Sequence, residues 1–359
     1  LGCDSPAFGT IHGIRLDYKS AAPARFIKLV ECLMQYPLVS AIVLCYNQAR
    51  FVVECLEAVK AQNYPNLELI INDDASKDDS VAVIEGWLAQ NNIPYHFFKN
   101  QTNQGICHSV NKMLRQARGK YISGIAADDV WLPGKLRTQV EILEGLPGKV
   151  GVVYSDALQM DESGKILPER FIGSHRRFET MPAGDIHNIM WEGNFIPAMT
   201  TLIRRDCFEK VGLYDETLFY EDWDMWLRLS HSYDFAFSDE VSAKYRIVGT
   251  SMIRSQWARM LDAMCQICEK HLRQGALDPV ARRQALSQLR ARATCSFDEI
   301  TPRYKQNLRW ALRHSPSAGV YARCLFVWSG LGPKSFERVR AVLCKTKFPG
   351  DRGGKIQDE

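Results

Sequence analysis

The sequence predicts an α/β protein built on a mostly parallel sheet flanked by helices, followed by a helical C-terminal region. Three observations carry that prediction. β-rich apolar runs alternate with helical patterns between residues 38 and 126; the ends of those runs carry polar, mostly acidic clusters; and beyond residue 253 the pattern turns helical while the charge reverses sign. Strands alternating with helices of this length make βαβ units, and ligands of such sheets sit beyond the carboxyl ends of the strands.

Residues 1–36 show weak periodicity and read as an N-terminal extension. "LVSAIVLC" is then an uninterrupted apolar run of the kind found in strands buried on both faces. A helix follows with Phe51, Val52, Cys55, Leu56 and Val59 on one side. Next come the strand "LELII", a helix at 81–88, the strand "YHFF", a helix at 107–117 and the strand "YISGIA". A further strand, "GVVYSD", ends at Asp156, and "DESG" makes a polar turn after it. In "FYEDWDMWLRL", Trp223, Trp226 and Leu227 fall at i, i+3 and i+4 and form the apolar stripe of a helix. Glu221, Asp222 and Asp224 stand at its start, where carboxylates cap a helix and complement its dipole, or do chemistry. That stretch by itself leaves both roles open.

With 359 residues, 46% hydrophobic and 24% charged, the chain has globular composition and length for two or so domains. No apolar run approaches the roughly 20 residues of a membrane span. No secretory leader is legible. The eleven cysteines, odd in number and set singly in apolar segments, suit reduced thiols, so a cytoplasmic protein is expected. Cys265, Cys268 and His271 have metal-ligand spacing, but no second pair answers them and all three fit one helix face, so no structural zinc is expected. From residue 254 onward there are 20 Lys/Arg against 9 Asp/Glu, whereas the first 253 residues hold 25 against 32. An acidic body thus carries a basic tail, which is either a solvated helical surface or a face for an anionic membrane or a phosphate-bearing partner.

The strand ends test the ligand rule. "YN" (Tyr46, Asn47) follows the first strand, "DDASKD" from Asp73 the second, and "ADDVWLPGK" with Asp128 and Asp129 a later one. Neither G-x-G-x-x-G nor G-x-x-x-x-G-K-[ST] follows the first strand, which removes the central element of dinucleotide oxidoreductases and P-loop phosphotransferases. A rim of carboxylates tolerates a diphosphate only with a divalent cation between them.

These blocks, in this order, resemble the family 2 glycosyltransferases of the GT-A fold, over residues 37–251: "VSAIVLCYNQARFVVECLEAVKAQNYPNLELIINDDASKDDS", "NQGICHSVNKMLRQARGKYISGIAADDVWLPGKL", "NFIPAMTTLIRRDCFEKVGLYDETLFYEDWDMWLRL" and "YRIVGTSM". The resemblance implies that Tyr46, with Asn47 beside it, stacks on the nucleotide base and that Asp74 accepts from a pyrimidine N–H. It places Asp128 toward the ribose and Asp129 on Mg²⁺ or Mn²⁺ at the diphosphate. Ala126 stands where the family often has the first Asp of D-x-D-D, so the ion relies more on diphosphate and water. "EDWD" matches the catalytic "ED" motif, which makes Asp222 the general base and leaves Glu221 and Asp224 as helix-start supports. In "YRIV", Val248 replaces a common His, while Arg246 is expected to reach the diphosphate.

The implied activity is an inverting, hexosyltransferase-like transfer from a nucleoside diphosphate sugar, in the first instance a UDP-sugar, to a glycan or lipid-linked acceptor, in polysaccharide synthesis at the cell surface. The expected division is 37–253 catalytic, 254–345 helical and basic with a possible peripheral membrane contact, and 346–359 a flexible tail. No nucleic-acid partner is expected. Two rival readings stay open: a catalytically silent sugar-nucleotide-binding protein of the same fold, and a nucleotidylyltransferase, against which the missing Gly-rich loop speaks.

Overall fold

The computed structural model describes residues 10–11, 14–15, 36–248 and 256–345. The first two pieces pair as a short antiparallel ladder, and the calls for the rest of 1–35 and for 346–359 lie outside the described residues.

The N-terminal half is the alternation expected: β1 (Val39–Cys45), α1 (Val52–Lys60), β2 (Leu67–Asp73), α2 (Ser80–Gln90), β3 (Tyr95–Lys99), α3 (Ile106–Gln116) and β4 (Tyr121–Ala126). These strands pair in parallel in the order β3-β2-β1-β4. Parallel neighbours bring the carboxyl ends of β1, β2 and β4 to one rim. There follow β5 (Val130–Trp131), α4 (Lys135–Glu144), β6 (Val150–Met160), β7 (Ile166–Arg170), α5 (Phe171–His175), α6 (His187–Met190), β8 (Leu202–Arg204), α7 (Arg205–Val211), α8 (Glu221–Ser232) and β9 (Asp234–Arg246).

Beyond β4 the sheet is mixed. The three-residue β8 lies antiparallel between β4 and β6, β9 runs parallel to β6, and β5 closes the edge antiparallel to β9. β8 is too short to show a period, which is why only its neighbours are legible in the sequence.

Alternation along β1 feeds both faces. Val39, Ala41, Val43 and Cys45 pack with Val52, Leu56, Ile84 and Val140 on one side, while Ile42 joins Met113, Trp223 and Trp226 on the other. The second face continues into the C-terminal helices α9 (Trp257–Gln274), α10 (Pro279–Asp298), α11 (Tyr304–His314), α12 (Ala318–Trp328) and α13 (Pro333–Lys345), since Ile267, Leu289 and Leu308 belong to the same core. Asp278 caps α10 by accepting from the N–H of Val280 and Ala281, ahead of Pro279 at the first helical position. Inside the bundle Asp262 gathers Ser296, Thr301, Asn307 and the Arg303 N–H. No described helix is long and apolar enough to cross a membrane. The eight cysteines whose side chains are described are free thiols, seven of them buried.

Candidate active site

The loop after β1 and the turn after β2 brace one another. Asn47 adopts a left-handed φ of 54°, donates its N–H to Ser76 Oγ (2.8 Å) and accepts the Lys77 N–H on Oδ1 (2.7 Å). Asn47 is therefore a staple between two loops through its N–H and side-chain oxygen, with its exposed amide nitrogen left at the rim. Asp73 closes an Asx turn with Ser76, and Ala75 stands at φ 62°, where a Cβ is strained. Tyr46 remains half exposed at the rim, with its ring open to stacking.

Asp74 is almost fully buried and anchors the approach to α3. Its Oδ1 accepts from Asn100 Nδ2 and the Gln104 N–H (both 2.8 Å), and its Oδ2 from the Gly105 N–H (2.9 Å). A carboxylate oxygen has two lone pairs, so one on Oδ2 is left for a further donor. Gly105, at φ 87°, precedes the first helical residue of α3.

Asp128 and Asp129 sit in the tight turn between β4 and β5, closed by a 3.0 Å bond from the Asp129 N–H to Ala126 O. Gln48 Nε2 donates to Asp128 (3.1 Å), tying the β1 loop to the same turn. Burial raises both carboxyls above the ordinary range, and the charge of Asp128 adds to the rise at Asp129. The Arg246 N–H donates to Asp129 Oδ1 (2.9 Å) and its Nε to the Asp128 carbonyl (2.8 Å).

The expectation for Arg246 needs correcting. Its guanidinium is buried, binds Glu54 at 2.5 Å and lies 4.6 Å from the Phe51 ring centroid. A group satisfied in this way buttresses the Asp128–Asp129 turn and does not face a diphosphate. Arg246 offsets part of the charge of both aspartates while Glu54 shares it, and burial still disfavours their ionised forms, which a hard divalent cation would stabilise. Among the described residues no group of three His, Cys, Asp or Glu stands together as a ready-made metal cage. The fit is thus to an ion that completes its shell with oxygens of a ligand or water. Cys265 and Cys268 are buried in α9, and His271 is bonded to Asp224 instead.

α8 begins at Glu221 after Tyr220, whose side chain makes no capping hydrogen bond, and Glu221, Asp222 and Asp224 all fall in its first turn. Glu221 and Asp222 are partly buried neighbours. Burial pushes Asp222 up to about 6; burial, then the charge of Asp222, pushes Glu221 up to about 8. They lie beside the first turn of α3: Cys107 Sγ donates to Leu218 O (3.4 Å), and its thiol is raised by burial and by these two carboxylates. Since Asp74 holds the start of α3, one short segment links the rim at the strand ends to the acidic pair.

Asp224 departs from its expected role. It is completely buried and takes Arg228 Nε (2.9 Å), Lys270 Nζ (3.0 Å) and His271 Nε2 (3.0 Å), which ties α8 to α9. The Arg228 partner, four residues on, is readable in the sequence; Lys270 and His271 are not, because only the packing of α9 brings them here. The pairing of Glu221 with Asp222 was missed for a similar reason, as burial has no local code.

A nine-stranded mixed sheet with an acidic rim and a helical C-terminal region defines the class: the GT-A fold. Chains that share it include TarS of S. aureus in complex with UDP, at a TM-score of 0.61 and 15% identity over 87% of this chain and 93% of that one. A mannosyltransferase from Pyrobaculum calidifontis in complex with GDP-Man and Mn²⁺ matches at 0.56 and 18%, over 87% and 81%. In sequence, residues 40–212 match the family described as Glycosyl transferase family 2. An uncharacterized glycosyltransferase of Rickettsia typhi is 31% identical over 212 residues, 59% of this chain and 64% of the relative. The chain thus spans just under two thirds of that relative.

Proposed function

We propose that this chain is an inverting glycosyltransferase that moves a sugar from a nucleoside diphosphate sugar, in the first instance a UDP-sugar, to an acceptor hydroxyl in cell-surface polysaccharide or glycan synthesis. The observation that carries the reading is the acidic pair at the start of α8, beside a helix tethered to the base-binding rim. Asp222, with a raised pKa in the first turn of α8, is the base. It takes the proton of the acceptor hydroxyl as that oxygen bonds the anomeric carbon and the bond to the diphosphate breaks on the opposite face. Glu221 is raised by burial and by the charge of Asp222, so the two carboxyls titrate as a pair. Tyr46 stacks on the base, the free lone pair of Asp74 takes the ring N–H, and Asp128 takes the ribose. Asp129 would hold Mg²⁺ or Mn²⁺, which when bound would neutralise the charge of the departing diphosphate. UDP, UDP-GlcNAc and GDP-Man in the structural neighbours, one of them with Mn²⁺, support a nucleotide-sugar donor. On this reading 37–253 is the catalytic unit, 254–345 its helical companion, and the protein works in the cytoplasm on a glycan or lipid-linked acceptor.

Asp222→Asn tests it. The amide keeps volume and polarity but takes no proton, so transfer falls by about 10²–10⁴ while nucleotide binding, read by calorimetry with UDP and Mn²⁺, stays. Near-normal turnover in the variant would remove Asp222 from the chemistry. Nucleotide-sugar binding with no transfer by the unaltered chain would mark a silent relative, and diphosphate release from a nucleoside triphosphate a nucleotidylyltransferase.

A further inference from the structure

We propose that α12 and α13 dock the protein peripherally on an anionic lipid surface. α12 is apolar on both sides. Val320 and Cys324 point into the core, whereas Tyr321, Leu325 and Trp328, at i, i+4 and i+7, are 51%, 59% and 63% exposed. Leu331, in the loop that follows, extends the strip at 48% exposed. A helix apolar all round is normally buried, so this outward face lacks a cover within the described chain. Trp and Tyr at such a face suit the boundary between hydrocarbon and headgroups.

The neighbouring helix supplies the charge. α13 lies against α12 through Phe336, whose ring is 5.0 Å from that of Phe326. It exposes Lys334, Arg338 and Arg340 beside the single acid Glu337. None of those three cations has a carboxylate partner among the described residues, whereas Arg323 on α12 is fully engaged by Asp298 at 3.0 and 2.8 Å. An apolar, aromatic strip next to unpaired cations complements an anionic bilayer. A second copy is a poorer occupant, because a symmetric pairing over this strip brings like-charged α13 helices together. No described helix is long and apolar enough to cross a membrane. The inference does not draw on the donor or the reaction, so its failure and that of the transferase reading are separate.

The test is co-sedimentation of the full chain with phosphatidylcholine vesicles, with and without phosphatidylglycerol. Attachment is expected only with the anionic lipid, and release as salt rises. The double variant Leu325→Ser/Trp328→Ser is expected to lower binding at least tenfold, and Lys334→Gln/Arg338→Gln/Arg340→Gln by about a hundredfold, at roughly fivefold per cation. Both keep the melting temperature, because the altered side chains are solvent-exposed. No sedimentation at low salt, equal binding to both vesicles, or unchanged binding of the folded variants would overturn the proposal. Self-association without vesicle binding, abolished by Trp328→Ser, would overturn it in favour of a dimer face.

Discussion

Replacing Asp224 by Asn keeps the shape of the side chain and removes the charge on which Arg228, Lys270 and His271 converge. Burial by itself would raise this carboxyl, but the hydrogen bond from His271 and the charges of Arg228 and Lys270 outweigh it and hold it well below the usual range. Truncating one side of a buried ion pair costs roughly 3–5 kcal/mol, since it leaves the partners' charge without compensation. Here Lys270 keeps Asp215 at 2.7 Å, and Arg228 keeps the carbonyls of Val211 and Gly212 at 2.7 and 3.0 Å. The loss therefore falls at the low end, about 3 kcal/mol. Urea and thermal unfolding measure it, with a midpoint lowered by roughly 6–12 °C for a domain of this size. The pH dependence follows from the depressed folded pKa. The stabilisation is fully present above the unfolded value of about 3.9 and is lost only as pH falls toward the lower folded value. The deficit of the variant is then constant across neutral pH and closes only in strong acid. A loss below about 1 kcal/mol, the scale of a surface pair, would refute the reasoning.

Other outcomes follow from the same site. The initial-rate profile is expected to fall on the acid side with an apparent pKa near 6, because the Asp222–Glu221 pair must shed a proton for Asp222 to act as base. A profile flat from pH 5 to 8 would separate Asp222 from the rate. Asp129→Ala is expected to weaken nucleoside diphosphate binding with Mn²⁺ present and to matter little in chelator; full activity in excess chelator would sink the metal assignment. Ala75→Gly relieves the left-handed φ of 62° and is expected to stabilise the chain by about 0.5–1 kcal/mol in urea unfolding, whereas a loss would show the turn tolerates its Cβ.

The sequence by itself determined the strands that build the rim and the order of the acidic clusters on it. Periodicity reports burial locally, and parallel βαβ units force successive strand ends to one side, so Tyr46, Asp73 and Asp128 were bound to converge. It also marked α8 and the acids at its start. Tertiary structure alone decided what those side chains face. Arg246 turns to Glu54 and Phe51 because β9 runs beside the Asp128–Asp129 turn. Asn47 spends its side-chain oxygen on a neighbouring loop, and Asp74 all but one of its acceptor sites. Asp224 meets Lys270 and His271 only because α9 packs on α8, and α12 is left with an apolar outer face only because the core takes Val320 and Cys324 instead. Charges, lone pairs and burial are satisfied by whatever lies adjacent in space, and for residues dozens of positions apart that adjacency has no local signature in a single chain.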